Sequence, residues 1–181
     1  MATTNSTNQL EILQQGLIAG VAGGLAEIAW VTLYAGVTGG DPAALARGVT
    51  TAAGVNALLP QSPVALGIAV HMTLAVALGA ALAFGWRRLR TCRAAASGPY
   101  PFMLAALAGV WAINFFVVLP VVSPSFVHMV PYAVSLTSKL LFGLAAAAAM
   151  QWRTACEPTG WRRAPIMNPI RVRRDSGLPK E

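Results

Sequence analysis

Five polar side chains stand in or beside stretches that are otherwise apolar: Glu27, His71, Asn114, Lys139 and, in a short connection, His128. An ionisable group inside hydrocarbon costs at least ~2.5 kcal/mol on insertion scales, so such groups turn toward one another, a cavity or a ligand. The chemistry open to this set is limited. Glu27 and Lys139 can form an ion pair that fixes helix register, or with His71 can handle protons along a path. His71 and His128 can ligate a metal ion or a haem, and His71 can equally be a neutral packing histidine. Asn114 can supply a hydrogen bond between helices. Hydrolytic chemistry lacks its residues: there is no GxSxG, no HExxH, and no pair of carboxylates within one apolar stretch, so no catalytic residue is expected.

The apolar stretches that hold these groups follow from composition. Only 10% of the 181 residues are charged and 56% are hydrophobic, whereas a soluble domain carries roughly 25% charged residues. About 20 apolar residues span a ~30 Å hydrocarbon core at 1.5 Å per residue. Four stretches reach that length, residues 15–37, 64–86, 101–122 and 131–152. A weaker segment, 42–59, contains Arg47, Asn56 and two threonines. Asp41 and Pro42 mark its start and Pro60 its stop, with Leu45, Val49, Ala52 and Leu59 on one face. The expected fold is therefore an all-α integral membrane protein with four transmembrane helices plus one amphipathic interfacial or re-entrant helix on the outer face. Residues 1–152 form the transmembrane helical domain and 153–181 a basic tail. Pro120, Pro124 and Pro131 are expected to end the third helix, shape the outer connection and begin the fourth.

Charge orients this arrangement. Of the 13 basic residues, Arg87, Arg88, Arg90 and Arg93 follow the second span, and Arg153, Arg162, Arg163, Arg171, Arg173, Arg174 and Lys180 follow the last. Basic residues just past apolar runs are what the positive-inside bias produces, which puts both termini in the cytoplasm, most simply at a bacterial inner membrane. The same arginines are candidate contacts for anionic lipid or a partner, and nucleic acid is not an expected ligand. The tryptophans and tyrosines agree: Trp86, Tyr100 and Trp152 fall at the inner interface, Tyr34 and Tyr132 at the outer. Cys92 and Cys156 sit beside arginine blocks with no CxxC spacing, so a disulfide framework is not expected.

With alternating directions the five polar residues all fall between the midplane and the outer surface. Gly16, Gly20, Gly23 and Glu27 recur at steps of three or four, as do Gly67, His71, Ala75 and Gly79, and Ser135, Lys139 and Gly143. Small residues at helical spacing mark close helix contacts, so a polar cluster of Glu27, His71, Asn114 and Lys139 is expected in a bundle interior. The GxxxGxxGG run from Gly16 to Gly24 is a packing device, since it lacks the strand and the GK[ST] ending of a phosphate loop.

Three functions compete. The leading expectation is a structural or accessory subunit of a larger membrane complex, respiratory or photosynthetic, with other membrane subunits docked on the glycine faces and the basic tail. The second is a small proton-coupled carrier or channel built on the Glu27, His71 and Lys139 cluster. The third is a haem or metal site on His71 and His128. No cofactor is expected under the first two.

Overall fold

The computed structural model describes residues 3–55, 57–90, 98–122, 124 and 130–156. Five helices carry the chain: α1 (Thr3–Thr38), α2 (Pro42–Ala52), α3 (Pro63–Leu89), α4 (Pro99–Val122) and α5 (Tyr132–Cys156). Stretches Gln9–Thr38, Pro63–Leu89, Pro99–Val122 and Tyr132–Trp152 are long and apolar enough to cross a membrane. The fold is an all-α membrane protein with four spans, and the described residues contain no strand.

Packing runs in the order α3, α1, α5, α4, with α1 and α5 in the middle and α3 and α4 touching sparsely. Lipid is as apolar as leucine, so these helices gain by close approach and not by hiding large side chains. The residues are distributed accordingly. On α1, Gly16, Ala19, Gly20, Gly23 and Gly24 face inward while Leu17, Leu25 and Leu33 are exposed. A Cβ on Gly16 would overlap the Ala80 backbone, and one on Gly20 would lie 2.6 Å from both the Ala75 carbonyl and the Val76 Cα. Gly79 lies equally close to Gly16 and Gly20 from the other side, so the α1 and α3 backbones run nearly in contact.

The α1–α5 interface uses a ring instead. Phe142, fully buried, lies against Gly23, where an added Cβ would be 2.6 Å from the ring. Trp30 Nε1 donates to the Val134 carbonyl at 3.1 Å and ties the two helices nearer the α2 end. Between α4 and α5, Met103 and Leu107 pack on Gly143, and Trp111 Nε1 donates to Ser135 Oγ at 3.2 Å. The ring contact of Trp86 with Phe102 joins α3 to α4 near the loop that connects them. Trp86 is thus a buried core residue at the end of its span.

Helix α2 is shorter than the expected 42–59. Its start is as read: Asp41 Oδ1 accepts from the Ala43 amide at 2.9 Å, and Pro42 fills the first turn. It ends early because Gly54 adopts φ +68°, which lets the Gly54 amide return to the Thr51 carbonyl and the Val55 amide to the Thr50 carbonyl. That paired closure satisfies the last carbonyls and stops the helix. Leu59 therefore does not share the α2 face and is exposed. The apolar face that does form, Leu45, Ala46 and Val49, turns to the bundle, and Gly67 of α3 makes room for the Ala46 carbonyl.

Pro120 does not end the third span, which continues to Val122. Proline cannot donate to the carbonyl four residues back, and its ring crowds that carbonyl. Immediately before it, Asn114–Val118 widen into a π-turn in which the Leu119 amide bonds to the Asn114 carbonyl, one residue further back than in an α-helix. The wider turn takes up the misfit and lets the helix proceed.

Candidate functional site

Glu27 is the centre of the site. It lies on the glycine-lined face of α1 and is 3% exposed, so its carboxylate must be paired where it stands. Lys139 Nζ of α5 is 2.7 Å from Oε1, and the neighbouring Ser138 Oγ donates to the same oxygen at 3.1 Å. Consecutive residues of α5 thus clasp one carboxylate oxygen, which requires α1 and α5 to be held in register by Phe142 on one side and Trp30 on the other. The second oxygen, Oε2, faces His71 Nε2 of α3 at 3.7 Å, beyond hydrogen-bonding distance.

His71 Nε2 is buried and has no hydrogen-bond partner among the described residues. His71 Nε2 and Glu27 Oε2 thus stand side by side without a hydrogen bond between them.

These groups open onto a cavity of about 420 Å³ walled by all five helices. Its polar end consists of Glu27, His71, Asn114, Ser135, Ser138 and Lys139, and its walls are aliphatic, with Val49 from α2, Ile68 and Leu74 from α3 and Val31 from α1 among them. Phe115, the buried residue of the π-turn, closes the α4 side. A concave, mostly apolar chamber of 300–1,000 Å³ with a few convergent polar groups has the general form of a small-molecule site.

The structure brings Glu27, His71 and Lys139 together and places Asn114 on the cavity wall. Only Glu27 among the four is buried; His71, Asn114 and Lys139 are partly exposed to the cavity, so the expected buried cluster is instead the polar floor of an open chamber. Ser138 escaped sequence reading because a serine beside a lysine gives no periodic signal. Its sign, if any, was its place one step from Lys139 on a helix already assigned to the interior. The small-residue positions Gly16, Gly20, Gly23, Gly67, Gly79 and Gly143 all lie at contacts within the chain, Gly67 against α2 and not against a spanning helix.

His128 lies outside the described residues, as do Arg162, Arg163, Arg171, Arg173 and Arg174. The two-histidine site is left with His71, and among the described residues no three of His, Cys, Asp and Glu gather at one place. Arg87 and Arg88 occupy the last turn of α3, where cations favour the exposed carbonyls, and Arg90 caps it. The Arg88 guanidinium lies 5.0 Å from the centre of the Phe84 ring. At the opposite end Asp41 accepts from Arg47 at 2.6 Å, and this guanidinium, with the Ala43 amide, holds the exposed Asp41 carboxyl below its ordinary range. No protein-family model, no curated protein and no solved structure matches this chain.

Proposed function

We propose that this protein is a small membrane carrier that binds a solute in the cavity and uses Glu27, His71 and Lys139 as its binding and proton-handling groups. One observation carries the reading: three ionisable side chains from three different helices converge on the floor of a chamber large enough for a small molecule. An ion pair needed only for register could be sealed by packing; this one is left facing a void. A proton delivered to His71 would strengthen its attraction to Glu27 Oε2, and a proton delivered to Glu27 would release Lys139. Either event changes the polar floor without moving a helix.

The accessory-subunit reading drew its support from the glycine faces and the basic tail as docking surfaces for neighbours, and the tail beyond Cys156 lies outside the described residues. Those faces are filled by this chain's own helices, so the cavity now offers the stronger support. The arginines that follow α3 and α5 support, under the positive-inside bias, a reading in which both termini lie on the cytoplasmic side of a bacterial inner membrane and the α2 end faces outward. They are also the groups through which the protein meets anionic lipid.

The test is proton movement in proteoliposomes carrying an internal pH-sensitive dye, under an imposed pH gradient and a clamped potential, with a panel of medium-chain alcohols, amides and acids outside. The expected result is a solute-dependent proton flux that Glu27→Gln abolishes while the variant retains its helical circular dichroism. A flux absent for every solute, or unchanged in Glu27→Gln, refutes the carrier.

A further inference from the structure

The chamber is one-sided. The contiguous buried apolar cluster, which includes Leu82 and Trp86 of α3, Met103 and Leu107 of α4 and Phe142 and Met150 of α5, lies on the far side of Glu27 from α2. Phe142 belongs both to that cluster and to the chamber lining, so its ring is where the void stops. In the other direction the lining runs on to Pro42, the first residue of α2, and to Val130, just before α5. Water coming from the far end would have to pass through packed methyl, thioether and ring groups; from the α2 end it meets polar partners, as a buried water must.

Those partners stand in a row on the α4–α5 wall. Met103 and Leu107 pack on Gly143 while Trp111 Nε1 donates to Ser135 Oγ, so α4 and α5 run antiparallel with residue 111 level with 135. Asn114 is therefore one turn, about 4.5 Å, nearer α2 than this pair, and Lys139 lies about 6 Å on its far side. Asn114, Ser135 and Lys139 all line the chamber. The Asn114 carboxamide makes no hydrogen bond among the described residues, and it is open to the void, since the buried polar side-chain atom that lacks a partner there is His71 Nε2. An amide donor and acceptor without partners inside an apolar span are costly, and water satisfies both. At about 30 Å³ per molecule, the chamber of about 420 Å³ has room for about a dozen waters.

Resting on the carrier reading, we propose that water enters the chamber from the α2 end alone, in a file along Asn114, Ser135 and Lys139, and that this file delivers the proton to Glu27, with Phe142 as the seal behind it. In that step a hydronium ion of the file gives its proton to the Glu27 carboxylate, leaving a water and a neutral carboxyl, and Lys139 keeps its charge.

Thiol accessibility in the full-length protein, reconstituted in proteoliposomes, tests the path. Cys92 and Cys156 are replaced by serine, and Asn114→Cys, Ser135→Cys, Leu107→Cys and Val117→Cys are each combined with Ala53→Cys, an exposed position at the end of α2. A charged, membrane-impermeant methanethiosulfonate is added outside, and intact mass counts the labels on each chain. The reagent needs a hydrated thiolate. Asn114→Cys and Ser135→Cys are therefore expected to be labelled in the same chains as Ala53→Cys, at least about tenfold faster than Leu107→Cys in the packed cluster and Val117→Cys on the exposed apolar face of α4. In variants that keep their helical circular dichroism, chains labelled at Ala53→Cys but not at Asn114→Cys or Ser135→Cys overturn the path, as does equal labelling of Leu107→Cys. Solute-dependent proton flux is then compared in two further variants. Asn114→Leu is expected to lower it about fivefold, the equivalent of one hydrogen bond, and Asn114→Gln, which keeps the amide, to stay near wild type. Equal flux in Asn114→Leu and wild type overturns the proton role and leaves the carrier standing. No flux with any solute, beside labelling as expected, upholds the hydrated wall and refutes the carrier together with the proton role.

Discussion

The Glu27–Lys139 pair can be weighed by a double-mutant cycle. At 2.7 Å, opposite unit charges attract by about 6 kcal/mol at an effective dielectric of about 20. Desolvation offsets much of that, but only while both partners remain. Lys139→Met leaves a carboxylate at 3% exposure with the Ser138 hydroxyl as its remaining support on that oxygen. Breaking a buried pair costs about 3–5 kcal/mol, and the opening of Lys139 to the cavity puts this case near the lower end, about 3 kcal/mol. Glu27→Gln costs less, about 1 kcal/mol, because Lys139 is 23% exposed and can turn toward the cavity, while glutamine keeps an oxygen for Ser138. In the double variant the stranded carboxylate is gone, so the total loss is expected near 1.5 kcal/mol and not the additive 4. The assay is reversible unfolding in mixed micelles followed by tryptophan fluorescence, and a 3 kcal/mol loss corresponds to a fall in Tm of roughly 6–12 °C for a chain of this size. A double variant that loses the sum of the single losses, within about 0.5 kcal/mol, refutes the claim that the two side chains act as a pair.

Gly20→Leu should separate α1 from α3 and cost at least about 3 kcal/mol, since even a Cβ there meets backbone; Gly36→Ala, in open space, should stay within about 0.5 kcal/mol by the same unfolding assay. Ser138→Ala removes a hydroxyl donor to a buried charge, and a loss of about 1.5–3 kcal/mol is expected, read by thermal unfolding. Asp41 has a folded-state pKa depressed from the ordinary 3.8, so its support of the α2 cap is present above that value and fades as pH falls through the lower folded-state value; amide exchange of Ala43 and Ala44, corrected for intrinsic rate, should lose protection over that range in wild type and show no such step in Asp41→Asn. Deleting Val117 from the π-turn should restore an ordinary α-helical turn and be tolerated better than deleting Ala108, which rotates the following half of α4 by about 100°; comparable yields of folded protein from both deletions would contradict this.

Much of the architecture was legible because the bilayer imposes it. The four spans needed only length and hydropathy, and Glu27, His71 and Lys139 stood out because hydrocarbon makes each one expensive. Their convergence was also legible, since depth follows from span direction and facing from the glycine steps. What escaped was the departure from regular helix. Pro120 signals a disturbance, but whether a helix stops or widens there depends on the neighbours that hold its far end; here Phe115 and Leu119, both buried, keep that end docked and the chain widens instead. Gly54 was visible as a glycine, yet its left-handed φ is what separates a stop from a tolerated interior residue.

The cavity itself has no residue signature, because it comes from contacts that are not made. Glycine steps bring α1 against α3, and Phe142 with Trp30 locks α1 to α5, which leaves α3 and α4 on opposite flanks of a central pair. At one end α4 lies close to α3, where Trp86 meets Phe102. Toward the other end the flanks need not meet, and α2, held on Gly67, lies over the space between them. Glu27 sits where that space begins. A larger residue at Gly67 would lift α2 from the chamber and leave Glu27, Lys139 and Ser138 in place, so this position separates what the cavity does from what the ion pair does. If solute binding weakens in Gly67→Val while the coupling between Glu27 and Lys139 is unchanged, the pair serves the chamber; if both fall together, α2 is part of what holds the pair.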